Sequence, residues 1–121
     1  MLDEKQILSL LLPEEIIEWF EITNIDEYQK KLCIHLEEKN LAPQGNLESK
    51  GFYPEKEIQD FPLRKRMVYL IVKVRRWRDK DTKQEIKRDF VLTAKNSKYT
   101  KEFADFLKRI GLKRNPLELA K

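Results

Sequence analysis

The chain has 121 residues, 40% of them hydrophobic and 38% charged, and 25 Lys/Arg against 21 Asp/Glu leave a net charge of +4. That length suits one domain with a modest core, and aliphatic residues in alternating runs exclude an intrinsically disordered chain. One cysteine excludes an internal disulfide framework and fits a reducing cytoplasm.

Residues 3–11 are amphipathic, with Ile7, Leu8, Leu10 and Leu11 apolar and Asp3 and Glu4 where a helix start favours negative charge. Pro13 suits a first helical position, so one or two short helices are predicted up to about residue 18. Acidic residues before the apolar stretch and no small-residue cleavage site argue against a signal peptide. No run approaches the ~18 apolar residues of a membrane span. Phe20, Ile22 and Ile25 open a strand, Asp26 to Lys30 form a polar turn, and Leu32, Ile34 and Leu36 alternate with Cys33, His35 and Glu37. Two such runs about a short turn predict an antiparallel hairpin. Residues 39–54 hold two of the three glycines and two of the five prolines and read as a loop.

Glu55 to Asp60 is a further strand with Ile58 inward, and Phe61-Pro62 makes a corner. A long strand over 67–78 follows, with Val68, Leu70, Val72 and Val74 on a buried face and Tyr69, Lys73, Arg75 and Trp77 on the other. The turn Asp79 to Gln84 returns it along Ile86 to Ala94, with Phe90, Leu92 and Ala94 alternating. Thr100 is the predicted N-cap of a helix over 100–110, whose Phe103, Phe106, Leu107 and Ile110 share a face. Lys108 and Arg109 close it, and Gly111 stands where a left-handed cap belongs. Asn115-Pro116-Leu117-Glu118 reads as a second helix start with almost no helix behind it. The expected fold is α+β, with a short N-terminal helix or helices, an antiparallel sheet of two hairpins (four to six strands) and a C-terminal helix packed on it. One domain spans 1–112, with a ribbon-like hairpin at 55–94, and 113–121 is a basic tail or truncated helix.

The net charge hides an asymmetry. Residues 1–60 carry 6 Lys/Arg and 14 Asp/Glu, a net of −8, whereas 61–121 carry 19 and 7, a net of +12. A split of that size points the second half at a polyanion. Arg64, Lys65, Arg66, Lys73, Arg75, Arg76 and Arg78 fall in one run free of acidic residues, with Trp77 among them. Guanidinium groups pair with phosphates and an indole face stacks on bases, so these eight residues are the candidate DNA-binding set. Lys95, Lys98, Lys101, Lys108, Arg109, Lys113 and Arg114 are candidates to extend the surface.

Cys33 and His35 share a strand face, but a metal needs three or four ligands and there is no second cysteine or histidine. Asp79, Asp81, Glu85 and Asp89 alternate with Lys80, Lys83, Lys87 and Arg88, the pattern of a solvated turn. With no phosphate-cradling glycine loop and no serine nucleophile motif, no catalytic residue, metal or cofactor is expected.

The run EIQDFPLRKRMVYLIVKVRRWRD, with Asp60-Phe61-Pro62, the aliphatic strand and Arg75-Arg76-Trp77-Arg78, resembles the segment before the zinc-binding cysteines of bacterial insertion-sequence transposases. In that family a zinc-ribbon-like N-terminal module precedes a helix-turn-helix, and KYTKEFADFLKRIG resembles its opening helix. With LEEKN, SKGFYPE and IQDFP, residues 8–112 resemble the N-terminal region proteins of split insertion-sequence transposases. The resemblance implies a non-catalytic module that binds the element's terminal repeats, works with a separately encoded catalytic subunit, acts away from membranes and is free to self-associate. The alternative is a module that docks on that subunit without touching DNA. Asp79-Lys80-Asp81-Thr82 stands where the family has Cys-x-x-Cys, so zinc is not carried over, and neither is the catalytic domain.

Overall fold

A computed structural model describes residues 4–93 and 97–111. Two short helices, α1 (Glu4–Ser9) and α2 (Glu14–Trp19), lead into β1 (Phe20–Tyr28) and β2 (Lys31–Glu38). Pro13 sits at the N-cap of α2, one place ahead of its expected position. After β3 (Leu47–Phe52) come β4 (Lys56–Leu63), β5 (Arg66–Lys73), β6 (Arg75–Asp79), the two-residue β7 (Glu85–Ile86) and α3 (Lys101–Arg109). The fold is α+β, as expected, but the strands form two sheets. No described helix is long and apolar enough to cross a membrane.

The first sheet runs β1-β2-β5-β4, and its central pair is parallel. Two antiparallel hairpins therefore lie side by side, rather than extending one antiparallel meander. The register explains this choice. Leu32, Ile34 and Leu36 of β2 stand opposite Val68, Leu70 and Val72 of β5, and Ile58 of β4 opposite Leu70. All these apolar positions fall on one face, where Ile34, Leu36, Ile58, Leu70 and Val72 are almost fully buried. Leu12 and Ile16 from the helical segment cover that face with Phe20, Phe90 and Leu92. The β4 edge is closed by the chain before α3: Gln59 N donates to Lys98 O (2.8 Å) and Thr100 N to Gln59 O (2.9 Å).

The second sheet, β3-β6-β7, departs most from expectation. The long strand over 67–78 leaves its ladder at Val74, and β6 pairs with β3, a segment read as loop. LESKGF lacks apolar alternation, and Gly51 takes φ +98° in the irregularity between Ser49 and Phe52, a conformation costly for other residues. The expected return strand over 86–94 is only the pair Glu85–Ile86. Beyond it Phe90 turns back onto the first sheet, its ring 4.9 Å from Phe20 and 6.5 Å from Trp19. Ala94 lies outside the described residues.

α3 forms as its sequence signals require. The Thr100 hydroxyl accepts from Phe103 N (3.3 Å), and Gly111 takes φ +67° as its N–H reaches Lys108 O (3.1 Å). Its apolar face meets the β4 edge, with Phe61 5.0 Å from Phe103 and 5.5 Å from Phe106. Ile110, expected on the buried face, is exposed. The helix start at Asn115 and the tail 113–121 lie outside the described residues.

Candidate nucleic-acid interface

β6 sorts its side chains by the carboxylate at the end of β2. Glu38 is almost fully buried at 1% exposure, and four groups converge on it. Oε1 accepts from Arg75 N (3.0 Å), Oε2 from Trp77 Nε1 (2.9 Å) and from Arg88 Nε (3.3 Å), and its carbonyl from Arg75 Nε (2.8 Å). Arg75 also donates from Nη1 to Ser49 Oγ (2.9 Å) and lies over Phe52. Arg88 lies over the Trp19 ring and donates to the Leu41 carbonyl. A buried charge is tolerated when paired and hydrogen-bonded, and here one carboxylate joins both sheets and the segment after β7.

This arrangement corrects two candidate DNA contacts. Trp77 is 1% exposed, its indole N–H held by Glu38, so although it forms part of the floor of the depression beside Arg76 and Arg78, its ring is not open to stacking. Arg75 is half-buried, with Nε donating to the Glu38 carbonyl and Nη1 to Ser49. Both point inward because the interior positions change from even to odd numbers where the strand breaks at Val74.

Arg76 and Arg78 project from the opposite face. With Lys50 of β3 and Lys83 of the β6–β7 turn they line a depression of about 290 Å³, which Glu85 shares. Arg76 Nε meets Glu85 Oε1 at 3.0 Å, and Lys50 Nζ meets Glu48 Oε1 at 3.2 Å. The hydrogen bond from Lys50, aided by the charges of Lys80 and Lys83, lowers the Glu48 carboxyl, and hydrogen bonds from Arg76 and the Tyr53 hydroxyl lower Glu85. Asp79 is held low by the Thr82 and Asp81 N–H groups, which its side chain caps. Exposed ion pairs contribute only ~0–1 kcal/mol each, so an incoming phosphate readily takes over Arg76 and Lys50. Arg78 has no ion pair among the described residues. Lys50 and Lys83 were missed in the sequence because one lies in a presumed loop and the other in a polar turn.

The remaining candidates lie elsewhere. Arg64 and Lys65 form the exposed tip between β4 and β5, and Arg66 pairs with Glu27. Lys73 is half-buried and stands beside Glu37 in register. β5 spans about 26 Å at ~3.3 Å per residue, so the contiguous basic run becomes two separate surfaces. Of the proposed extensions, Lys98, Lys101, Lys108 and Arg109 are exposed near or on α3, whereas Lys95, Lys113 and Arg114 lie outside the described residues.

Carboxylates from both halves of the chain, with Lys101, meet at another surface. A cavity of about 660 Å³ between α2, β4 and α3 is lined by Glu14, Glu15, Asp60, Glu102 and Asp105. Asp60 is buried and accepts from Thr100 Oγ1 (2.8 Å). Burial raises its pKa above the ordinary 3.8, against the opposing hydrogen bonds from Thr100 and the Phe61 N–H. A carboxyl raised on folding favours the protonated native state, so its contribution is complete below the unfolded pKa and is lost as pH rises through the native one. The stability of Asp60→Asn should therefore gain on wild type as pH rises from below the ordinary carboxylate range to neutrality, and then level off. Urea titrations across that range measure it, and a pH-independent difference contradicts it.

His35 Nε2 lies 2.8 Å from Asp26 Oδ2, while burial raises the neighbouring Cys33 thiol, the inert condition for a cysteine. Among the described residues no three His, Cys, Asp or Glu side chains are grouped to hold a metal. No family model, curated protein or solved structure matches this chain.

Proposed function

We propose that this chain is a non-catalytic DNA-binding module that contacts duplex phosphates through the outer face of its second sheet. One observation carries this reading. Lys50, Arg76, Arg78 and Lys83 converge on a shallow depression in a sheet whose inner face is locked by Glu38, Trp77 and Arg75. Cations on a rigid strand lose little entropy on meeting a phosphate, and arginine offers it a bidentate fork. The resemblance of residues 8–112 to split insertion-sequence transposases makes the duplex the element's terminal repeats and the partner a separately encoded catalytic subunit in the cytoplasm.

The test is fluorescence anisotropy with end-repeat duplex across a salt series. Wild type binds tightly at low salt and weakens steeply as salt rises. In Lys50→Gln/Arg76→Gln/Arg78→Gln/Lys83→Gln the slope of log affinity against log salt becomes shallower by about 3.6, at ~0.9 per phosphate. No wild-type binding at low salt, alone or with the catalytic subunit, overturns the reading. A nuclease-insensitive complex with that subunit in the absence of DNA binding establishes the docking alternative instead.

A further inference from the structure

We propose that the two hairpin tips at the far end of the first sheet form a second phosphate-backbone site for duplex DNA, built from Lys30, Arg64 and Lys65. It rests on the DNA reading above but uses a different surface.

The parallel β2–β5 pair brings these tips together. Lys31 stands opposite Met67, Met67 N donates to Lys30 O (2.8 Å), and Glu27 of one hairpin pairs with Arg66 of the other. Hence the β1–β2 and β4–β5 turns lie side by side although they are distant in sequence.

Their backbone is unusual for their residues. Gln29 and Lys30 take φ +47° and +64°, and Arg64 and Lys65 take +51° and +67°. Positive φ at both central residues is the requirement of a type I′ turn, which favours Asn-Gly. An L residue with a Cβ costs roughly 1–2 kcal/mol there. Three of these four positions nevertheless carry long cationic side chains, Lys30, Arg64 and Lys65. Persistent backbone strain of this kind concentrates at functional sites.

The charge is available. Lys30, Arg64 and Lys65 are exposed and have no ion pair among the described residues. Their basic neighbours are already paired, Lys31 with Glu57 at 3.2 Å and Arg66 with Glu27. The surplus at this end is therefore the three tip cations, with the length of β5 between them and the second-sheet depression.

Strain and charge give opposite responses to one variant. Gln29→Asn/Lys30→Gly/Arg64→Asn/Lys65→Gly supplies the residues that a type I′ turn favours and removes the three cations. Its urea midpoint should rise while its DNA affinity falls. Its salt slope becomes shallower by about 2.7, so raising salt from about 50 to about 200 mM weakens it about 40-fold less than wild type. If that variant misfolds, Lys30→Gln/Arg64→Gln/Lys65→Gln removes the charge with the backbone demand unchanged, and the same slope is read. An unchanged slope in a folded variant whose wild type binds DNA overturns this site and leaves the second-sheet reading intact. Absent wild-type binding overturns both. Unchanged DNA binding with lost binding to phosphatidylserine vesicles overturns the DNA assignment in favour of a membrane surface.

Discussion

Glu38→Ala should lower the free energy of unfolding by about 3–5 kcal/mol, the range for removing one partner of a buried charge pair. Marginal domains have only about 5–15 kcal/mol to lose, so the variant sits near its unfolding threshold at room temperature. The size of the effect follows from what is left behind. Without the carboxylate, the Trp77 indole N–H and the Arg75 backbone N–H lose their acceptor in the interior, and Arg88 loses its counter-ion. Glu38→Gln keeps the shape but presents N–H groups to donors, because Oε1 and Oε2 both serve as acceptors. It should therefore lose about 2–3 kcal/mol, intermediate between wild type and alanine. Urea unfolding followed by tryptophan fluorescence measures both. An alanine variant within about 1 kcal/mol of wild type would show that the two sheets are held together elsewhere.

The second large effect separates support from recognition. Trp77→Ala should cost about 3–5 kcal/mol, as expected for truncating a large buried aromatic. The more informative change is Trp77→Phe, which keeps most of the apolar ring and removes the N–H bound to Glu38. It should cost about 2–3 kcal/mol through the lost hydrogen bond and partial cavity. Below its melting transition it should bind end-repeat DNA within about twofold of wild type. A phenyl ring still stacks, so the discriminating variant is Trp77→Leu: a stacked base contributes about 1–3 kcal/mol, and removing the ring would weaken binding about fivefold or more if Trp77 were a stacking platform. A fivefold weaker complex at a temperature where the variant is fully folded would place Trp77 on the DNA, contrary to its 1% exposure.

Both predictions concern residues whose roles reverse between the linear pattern and the fold. Trp77 follows Tyr69, Lys73 and Arg75 on the odd-numbered side of a strand whose even side is aliphatic. Read as one strand, that side faces solvent. Period-2 alternation defines inside only relative to one sheet, and at Val74 the chain passes into another. Glu38 sits two places after Leu36 on the buried face of β2, so its inward direction was implicit in the alternation. Its partners were not, because Arg75 and Arg88 follow it by 37 and 50 residues. β3 was missed for a different reason. Its six residues carry Leu47 and Phe52 at the ends with polar residues and Gly51 between them, and only pairing with β6 holds them extended.

Elements legible from the chain alone were those with complete short-range instructions. Thr100 and Gly111 bracket α3 because a cap acts within a single turn. β1–β2 forms the expected hairpin because it pairs neighbouring segments across a short polar turn, whereas Phe61-Pro62, read as a corner, continues β4, and β5 turns back on β4 rather than on the segment 86–94. The charge asymmetry is likewise arithmetic and needs no fold. Tertiary structure alone decided that β2 and β5 run parallel, since that register sets Ile34 beside Leu70 and Leu36 beside Val72 across an intervening stretch that holds β3 and β4. The same packing divided one basic run among a half-buried brace at Arg75, an outer face at Arg76 and Arg78, and a strained tip at Arg64 and Lys65. Local propensity acts over a few residues, whereas which cation remains exposed depends on every surface that folding brings beside it.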